Sequence, residues 1–259
     1  MLTLYLHKPQ KGVKDQIGAN KSNIDIISDL ENLLEKSSDS KILLTADDGY
    51  KEVLNLVPML EYYQVKLIFF IATGFVQGKC YPYEMEISSF LEKKKFITVA
   101  GKECPLKTLN EKESMFTLIH GLVKPLTYIH RERFLNNLAI ENGYSREESR
   151  NEQFVTFSDL KQLSEHPLVE IGSHCHRHLF LPAQNVNVIL SELLKSKRIL
   201  ERTLKKRVDK IAYPYGGSTM RIEKIAKICG YKKGYGTHNQ MEYSKMNQPR
   251  LNLQDAGNL

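Results

Sequence analysis

Two short clusters, far apart in this 259-residue chain, carry residue types suited to hydrolytic chemistry. The first is Thr45-Ala46-Asp47-Asp48-Gly49-Tyr50, and the second is Gly172-Ser173-His174-Cys175-His176-Arg177-His178. Adjacent carboxylates offer one metal ligand and one spare base. His174 and His178 are four residues apart, a spacing that predicts both imidazoles on the same side of a helical turn, gripping one ion. Two imidazoles and one carboxylate leave coordination positions open for water, which is the pattern of a catalytic site rather than a closed structural one.

Each cluster also has an ordinary reading. Asp-Asp-Gly is common in solvated turns, where Asp and Gly satisfy local hydrogen bonds and positive φ. Three histidines within five residues could form an exposed tract with no chemical role. Position favours a site. Lys41 to Thr45 is an apolar run of strand type that ends at the acids, and Leu168 to Gly172 is a second short strand that ends at the histidines. In α/β folds, sites are built at such C-terminal strand ends.

The elements that must position these residues alternate as βα units. Leu2 to Leu6 reads as a strand and Ile24 to Leu34 as a helix. After the strand at Lys41 to Thr45 comes a helix with Val53, Leu56, Val57 and Leu60 on one face. Val65 to Ala72 is a continuous apolar run suited to a strand buried on both sides. Farther on, Val188 to Leu204 reads as a helix and Lys210 to Tyr213 as a strand. Ile222, Ile225, Ala226 and Cys229 share a helical face that Gly230 terminates. The fold class is α/β. Residues from about 81 to 150 break the alternation with amphipathic patterns at Ile87 to Leu91, Glu111 to Ile119 and Thr127 to Glu141. They read as a helical insertion within a single domain spanning residues 1–259. Tyr81 and Tyr83, at its start, are candidates either for stacking on a sugar ring or for packing.

With both clusters placed, the chain resembles the polysaccharide deacetylases of carbohydrate esterase family 4. Leu43 to Phe75 is similar to that family's first motif with the helix and strand that follow it. Val155 to Leu181 is similar to the second motif and its preceding helix, and Ala212-Tyr213-Pro214-Tyr215-Gly216 to the third. The resemblance implies an irregular (β/α) barrel of about seven βα units. It also implies that Asp48, His174 and His178 are metal ligands and that Asp47 is the base that takes a proton from water held by the ion. The backbone N–H of Tyr215 is then a donor to the tetrahedral oxyanion. Pro214 fixes the turn that aims this amide, and Gly216 and Gly217 permit close approach.

The chain departs from the family pattern in several places. Ala212 stands where many members carry an arginine that orients the catalytic aspartate, so another group must hold Asp47. Cys175 replaces the usual Ser or Thr between the ligand histidines and reads as a small packed residue rather than a competing ligand. There is no tryptophan for the fourth motif, and Thr237-His238-Asn239-Gln240 occupies roughly its place. The last motif, which carries a general-acid histidine, has no clear match. His238 is the candidate for that role, with His176 behind it. His7, at the end of the first apolar run, is a candidate substrate contact. The tail from Gln248 to Leu253 resembles the closing strand of related deacetylases, placing Arg250 to reach an acidic partner in the site.

Composition sets the remaining bounds. An apolar content of 41% suffices for a sizeable core. No stretch reaches the roughly 18 apolar residues of a membrane span, and the N-terminal residues lack a basic-then-apolar leader pattern, so the expected location is cytoplasmic. Cys80, Cys104, Cys175 and Cys229 show no paired spacing and are expected to be reduced thiols. The net charge of +7 is spread over short groups such as Lys93-Lys94-Lys95 and Lys205-Lys206-Arg207, interspersed with acids and without a nucleic-acid recognition motif. A basic group could instead approach anionic lipid or a diphosphate-linked sugar. The expected activity is a metal-dependent hydrolase, with zinc the default ion, that removes an N-acetyl group from an amino sugar or glycan precursor. The alternatives are an O-deacetylase on a similar glycan and a degenerate glycan-binding protein.

Overall fold

The structure is a computed structural model, and it describes residues 2–6, 42–146, 153–237 and 244–252. The helix expected over Ile24 to Leu34, and His7, lie outside these residues.

Along the chain, β1 (Leu2–Leu6) and β2 (Ile42–Ala46) are followed by a 3₁₀ turn at Lys51–Leu56 and by α1 (Val57–Tyr63). Next come β3 (Lys66–Ile71), the short α2 (Thr73–Val76) and α3 (Tyr83–Lys93). The hairpin strands β4 (Phe96–Val99) and β5 (Lys102–Pro105) precede α4 (Leu109–Val123) and α5 (Tyr128–Asn142). The chain continues through α6 (Phe157–Glu165), β6 (Val169–Ser173), α7 (Val186–Leu204) and β7 (Lys210–Ala212). It ends with α8 (Met220–Ile228), β8 (Lys233–Tyr235) and β9 (Leu251–Asn252).

Among the described residues these elements fall into two compact units, one comprising residues 2–6, 42–80 and those from 153 onward, the other residues 81–146. The first unit is built on seven strands in the order β8-β7-β6-β3-β2-β1-β9, every pair parallel. β3 lies at the centre, and its Lys-Leu-Ile-Phe-Phe-Ile sequence is buried beyond the first residue. A parallel sheet covered on both faces demands such a run, because each side chain is removed from water whichever way it points. Leu44, Leu67, Phe69 and Ile171 face the helices, meeting Leu60 of α1, Leu160 of α6 and Leu193 of α7 in the main core. Leu43, Ile68, Phe70, Ala212 and Tyr235 form a second cluster of buried side chains. Gln248 bridges to Tyr235 in parallel, while β9 pairs with β1, so the segment from Gln248 to Asn252 brings the two ends of the curled sheet together. This is the barrel-like α/β fold expected from the motifs.

The second unit packs α3 against α4 and α5 against β4. Ile87, Leu91, Ile97, Ile119, Val123 and Leu135 are fully buried in it. The helices fall where the amphipathic patterns predict them, whereas the β4–β5 hairpin is an addition. Its two-residue turn is Ala100-Gly101, both at positive φ (52° and 77°), the conformation that matches the twist of flanking strands. Asn142, at the end of α5, receives the Thr98 N–H at 2.7 Å and donates to the Thr98 carbonyl at 2.7 Å, fixing the hairpin to the helix.

Candidate metal centre

β2 delivers Asp47 and Asp48 to its C-terminal end, where the chain turns sharply. Asp48 has φ 73° and Gly49 φ 104°, and the Gly49 N–H donates to the Asp47 carbonyl at 2.9 Å. The neighbouring β3 end ties in through the Ala72 N–H, which donates to the Asp48 carbonyl at 3.2 Å. Two strands along, β6 ends at Ser173, and the His174 N–H continues the ladder onto the Ile71 carbonyl at 2.8 Å. The expected helical turn from His174 to His178 is not there. An irregular loop takes its place, with Cys175 and His178 both in the left-handed region (φ 64° and 52°). The i, i+4 spacing serves by another route: the loop folds back and brings the ring centroids of His174 and His178 within 4.8 Å.

The three side chains expected as ligands come together. A carboxylate oxygen of Asp48 and one ring nitrogen from each of His174 and His178 all lie within 4.8 Å of one another, and all three residues are buried. Asp48 Oδ1 is 3.4 Å from His178 Nε2 and 3.6 Å from His174 Nε2. Four-coordinate zinc with bonds of about 2.0–2.2 Å separates its ligand atoms by roughly 3.4 Å, which both Asp48-to-histidine distances approach. The tautomer fits as well. His174 Nδ1 is 2.8 Å from the Ala212 carbonyl, which can only accept, so Nδ1 carries the proton and Nε2 presents its lone pair to the cluster.

Asp47 stands beside this triad, with Oδ2 at 3.8 Å from His174 Nε2. Its holder is Arg250, immediately before β9. Arg250 Nη1 donates to Asp47 Oδ1 at 2.7 Å and Nη2 donates to Oδ2 at 2.8 Å, a bidentate fork. The guanidinium is itself fixed, with Nε donating to the Gly236 carbonyl at 3.0 Å and Nη1 to Thr45 Oγ1 at 3.1 Å. Both partners are nearly inaccessible to solvent, at 1% and 4% side-chain exposure. The acidic partner expected for Arg250 is therefore Asp47, and the arginine missing at Ala212 has a counterpart from another strand.

The third strand-end block forms a tight turn after β7. Tyr215 has φ 58°, and its ring centroid lies 4.6 Å from that of His178. A Cβ on Gly216 would lie 2.5 Å from Thr237, and one on Gly217 2.5 Å from Phe180, so both glycines answer to neighbouring side chains. His176 is buried and its Nδ1 lies 2.9 Å from Thr73 Oγ1. Burial, with help from the charges of Lys195, Arg177 and Lys79, pushes its pKa down to about 4. Its ring nitrogen is thus engaged by a threonine, and burial works against the protonated form that a general acid needs. His238 lies outside the described residues. Cys175 is fully buried in the main core and burial raises its thiol pKa, in keeping with a packed residue. Tyr83 is buried in the second unit, with its hydroxyl 3.0 Å from His120 Nδ1. Sequence reasoning missed Glu192 of α7, which accepts hydrogen bonds from the backbone of the histidine loop. Its position three turns from any motif gave no signal.

A family model described as polysaccharide deacetylase matches residues 134–234, a span that includes both ligand histidines and the Tyr213-to-Gly216 turn but not Asp47 or Asp48. No curated protein matches the chain. Among solved structures, a Streptococcus pyogenes deacetylase, PplD, in complex with acetate superposes with a TM-score of 0.57 at 15% identity, covering 97% of this chain and 91% of that one. The deacetylase domain of BpsB from Bordetella bronchiseptica gives 0.53 at 15% identity, with 97% and 95% covered. IcaB from Ammonifex degensii gives 0.54 at 13% identity, with 96% and 90% covered. At such identities the structures speak for the fold alone. The sequence match to the polysaccharide deacetylase model is thus confined to residues 134–234, and the fold is shared with these deacetylases over nearly the whole chain.

Proposed function

We propose that this protein is a metal-dependent carbohydrate deacetylase that removes an N-acetyl group from an amino sugar or glycan precursor. The observation that carries the reading is the buried Asp48, His174 and His178 triad with a separately held carboxylate, Asp47, at its edge. A divalent ion bound there, zinc by default, supplies Lewis acidity toward water and toward the acetamide carbonyl. Asp47 takes the proton from the attacking water. The Tyr215 backbone N–H donates to the oxygen that becomes negative as the carbonyl turns tetrahedral. Attack by water is direct, with no acyl-enzyme, and Cys175 takes no part.

The substrate side of the proposal is a glycan or sugar met inside the cell. All four cysteines are free, as a reducing compartment requires, and no helix among the described residues is long and apolar enough to cross a membrane. Elemental analysis of protein purified without an affinity metal tests the site. About one zinc per chain is expected in the wild type, and Asp48→Ala and His178→Ala are expected to lose it. Acetate release from N-acetylated sugar nucleotides, set against O-acetylated glycans, then decides between N- and O-deacylation. A protein that binds no zinc even after reconstitution would sink the hydrolase reading in favour of glycan binding.

A further inference from the structure

The loop that carries the two histidines has an unfavourable backbone, with Cys175 and His178 both at positive φ, yet it must hold two ring nitrogens at fixed positions. On one side it is tied to the start of α2: Thr73 N–H donates to the Cys175 carbonyl at 3.2 Å and Gly74 N–H to the His176 carbonyl at 2.7 Å. On the other side it meets Glu192, a carboxylate on the buried face of α7 at only 1% exposure. Glu192 Oε2 accepts the His176 N–H at 3.0 Å and the Arg177 N–H at 2.6 Å, while Oε1 accepts Arg177 Nε at 2.6 Å. One turn along the same helix face, Ser196 Oγ accepts from Ser173 Oγ at 2.8 Å, at the root of the loop.

A carboxylate is costly to bury, and here its negative charge is met by a guanidinium and two peptide donors within a single turn of loop. These donors belong to residues 176 and 177, the peptides between the two ligand histidines. Helix packing alone would be served as well by leucine at this position, as it is at Leu193 and Leu200. A charged acceptor aimed at the loop peptides instead constrains where His178 can lie.

We propose that Glu192 is a positioning residue for the metal centre, setting the His174-to-His178 geometry that a divalent cation requires. This rests on the metal-centre reading above. Glu192→Gln keeps the shape but offers one acceptor oxygen where two are used, and its amide N–H₂ faces other donors. Removal of such supporting partners typically lowers metal affinity about 10–100-fold, and a loss in that range is expected for zinc, measured by chelator competition. The visible absorption of the cobalt-substituted protein should change in band position, since it reports ligand geometry. Ile189→Val, one turn earlier on the same buried face, loosens packing without touching the loop and should leave zinc affinity and the cobalt bands as in the wild type. Glu192→Asp keeps the charge beside Arg177 and withdraws it from the peptide donors. It supplies a second variant in case Glu192→Gln does not fold, with an intermediate loss expected. Wild-type affinity and unshifted bands in a folded Glu192 variant would overturn the proposal while Asp48→Ala still loses zinc. Failure of the wild type itself to bind zinc would take down the metal-centre reading and this proposal together.

Discussion

At the residue scale, the proposed base, Asp47, is held by a residue outside the proposed ligand triad. Arg250 grips both oxygens of Asp47, the carboxylate beside the three proposed ligands. Arg250→Ala should therefore retain zinc while losing turnover. A base displaced by about 1 Å costs on the order of 100-fold in rate, which steady-state kinetics beside metal analysis would show. Stripping one partner from a buried pair also costs about 3–5 kcal/mol of stability, measurable by denaturant unfolding. Arg250→Lys keeps the charge but not the planar fork, and its activity should fall between the two. The sequence revealed the need for such a residue, because Ala212 leaves a gap in the third motif. It placed Arg250 near an acidic partner without naming Asp47, since the two are 203 positions apart and meet only when the sheet curls round.

At the element scale, the strands that were legible are those whose composition is dictated by burial. β2 and β3 are short apolar runs with little exposure, β6 buries all but Glu170, and β2 and β6 end at motifs. β8 escaped notice because Lys233-Gly234-Tyr235 carries a lysine and a glycine, and its strand character comes from its neighbours. Gly234 donates to the Lys245 carbonyl at 3.1 Å and accepts the Gln248 N–H at 2.8 Å. A Cβ at Gly234 would overlap the Met246 carbonyl oxygen. Gly234→Ala should push back the segment that leads to Arg250, destabilising by about 1–3 kcal/mol as overpacking does and lowering turnover with zinc retained. The histidine loop was misjudged for a related reason. A spacing of four suits a helix, but here the peptides between the histidines bond to α2 and α7 rather than to their own turn.

At the scale of the whole molecule, each unit has its own buried core, and the second also buries ionisable groups. Glu86 there is nearly inaccessible and pairs with Arg146 at 2.6 Å. His120 is half-buried, and burial lowers its pKa against the opposing pull of Glu84. Below its unfolded value of about 6.5, the unfolded chain binds this proton more readily than the folded one. Stability that His120 leaves intact above that pH is thus lost as the pH falls through 6.5 toward the folded pKa. His120→Gln should flatten the decline in melting temperature between about pH 7.5 and 5 relative to the wild type. The net charge of +7 was correctly silent about fold, because charge of this kind governs solubility and encounter rather than architecture.

The meeting of Gln248 with β8 and of β9 with β1 also has a temporal side. A ribosome makes Asp48, His174 and His178 well before it makes Arg250. At about 5–20 residues per second, the nascent chain passes several seconds with the three proposed ligands complete and Asp47 unclasped. On the proposed reading, the three ligand side chains are thus made before the residue that clasps the base. A chain stopped just short of Pro249 should bind zinc and release no acetate, an outcome that metal analysis and an acetate assay on the truncated protein would reveal.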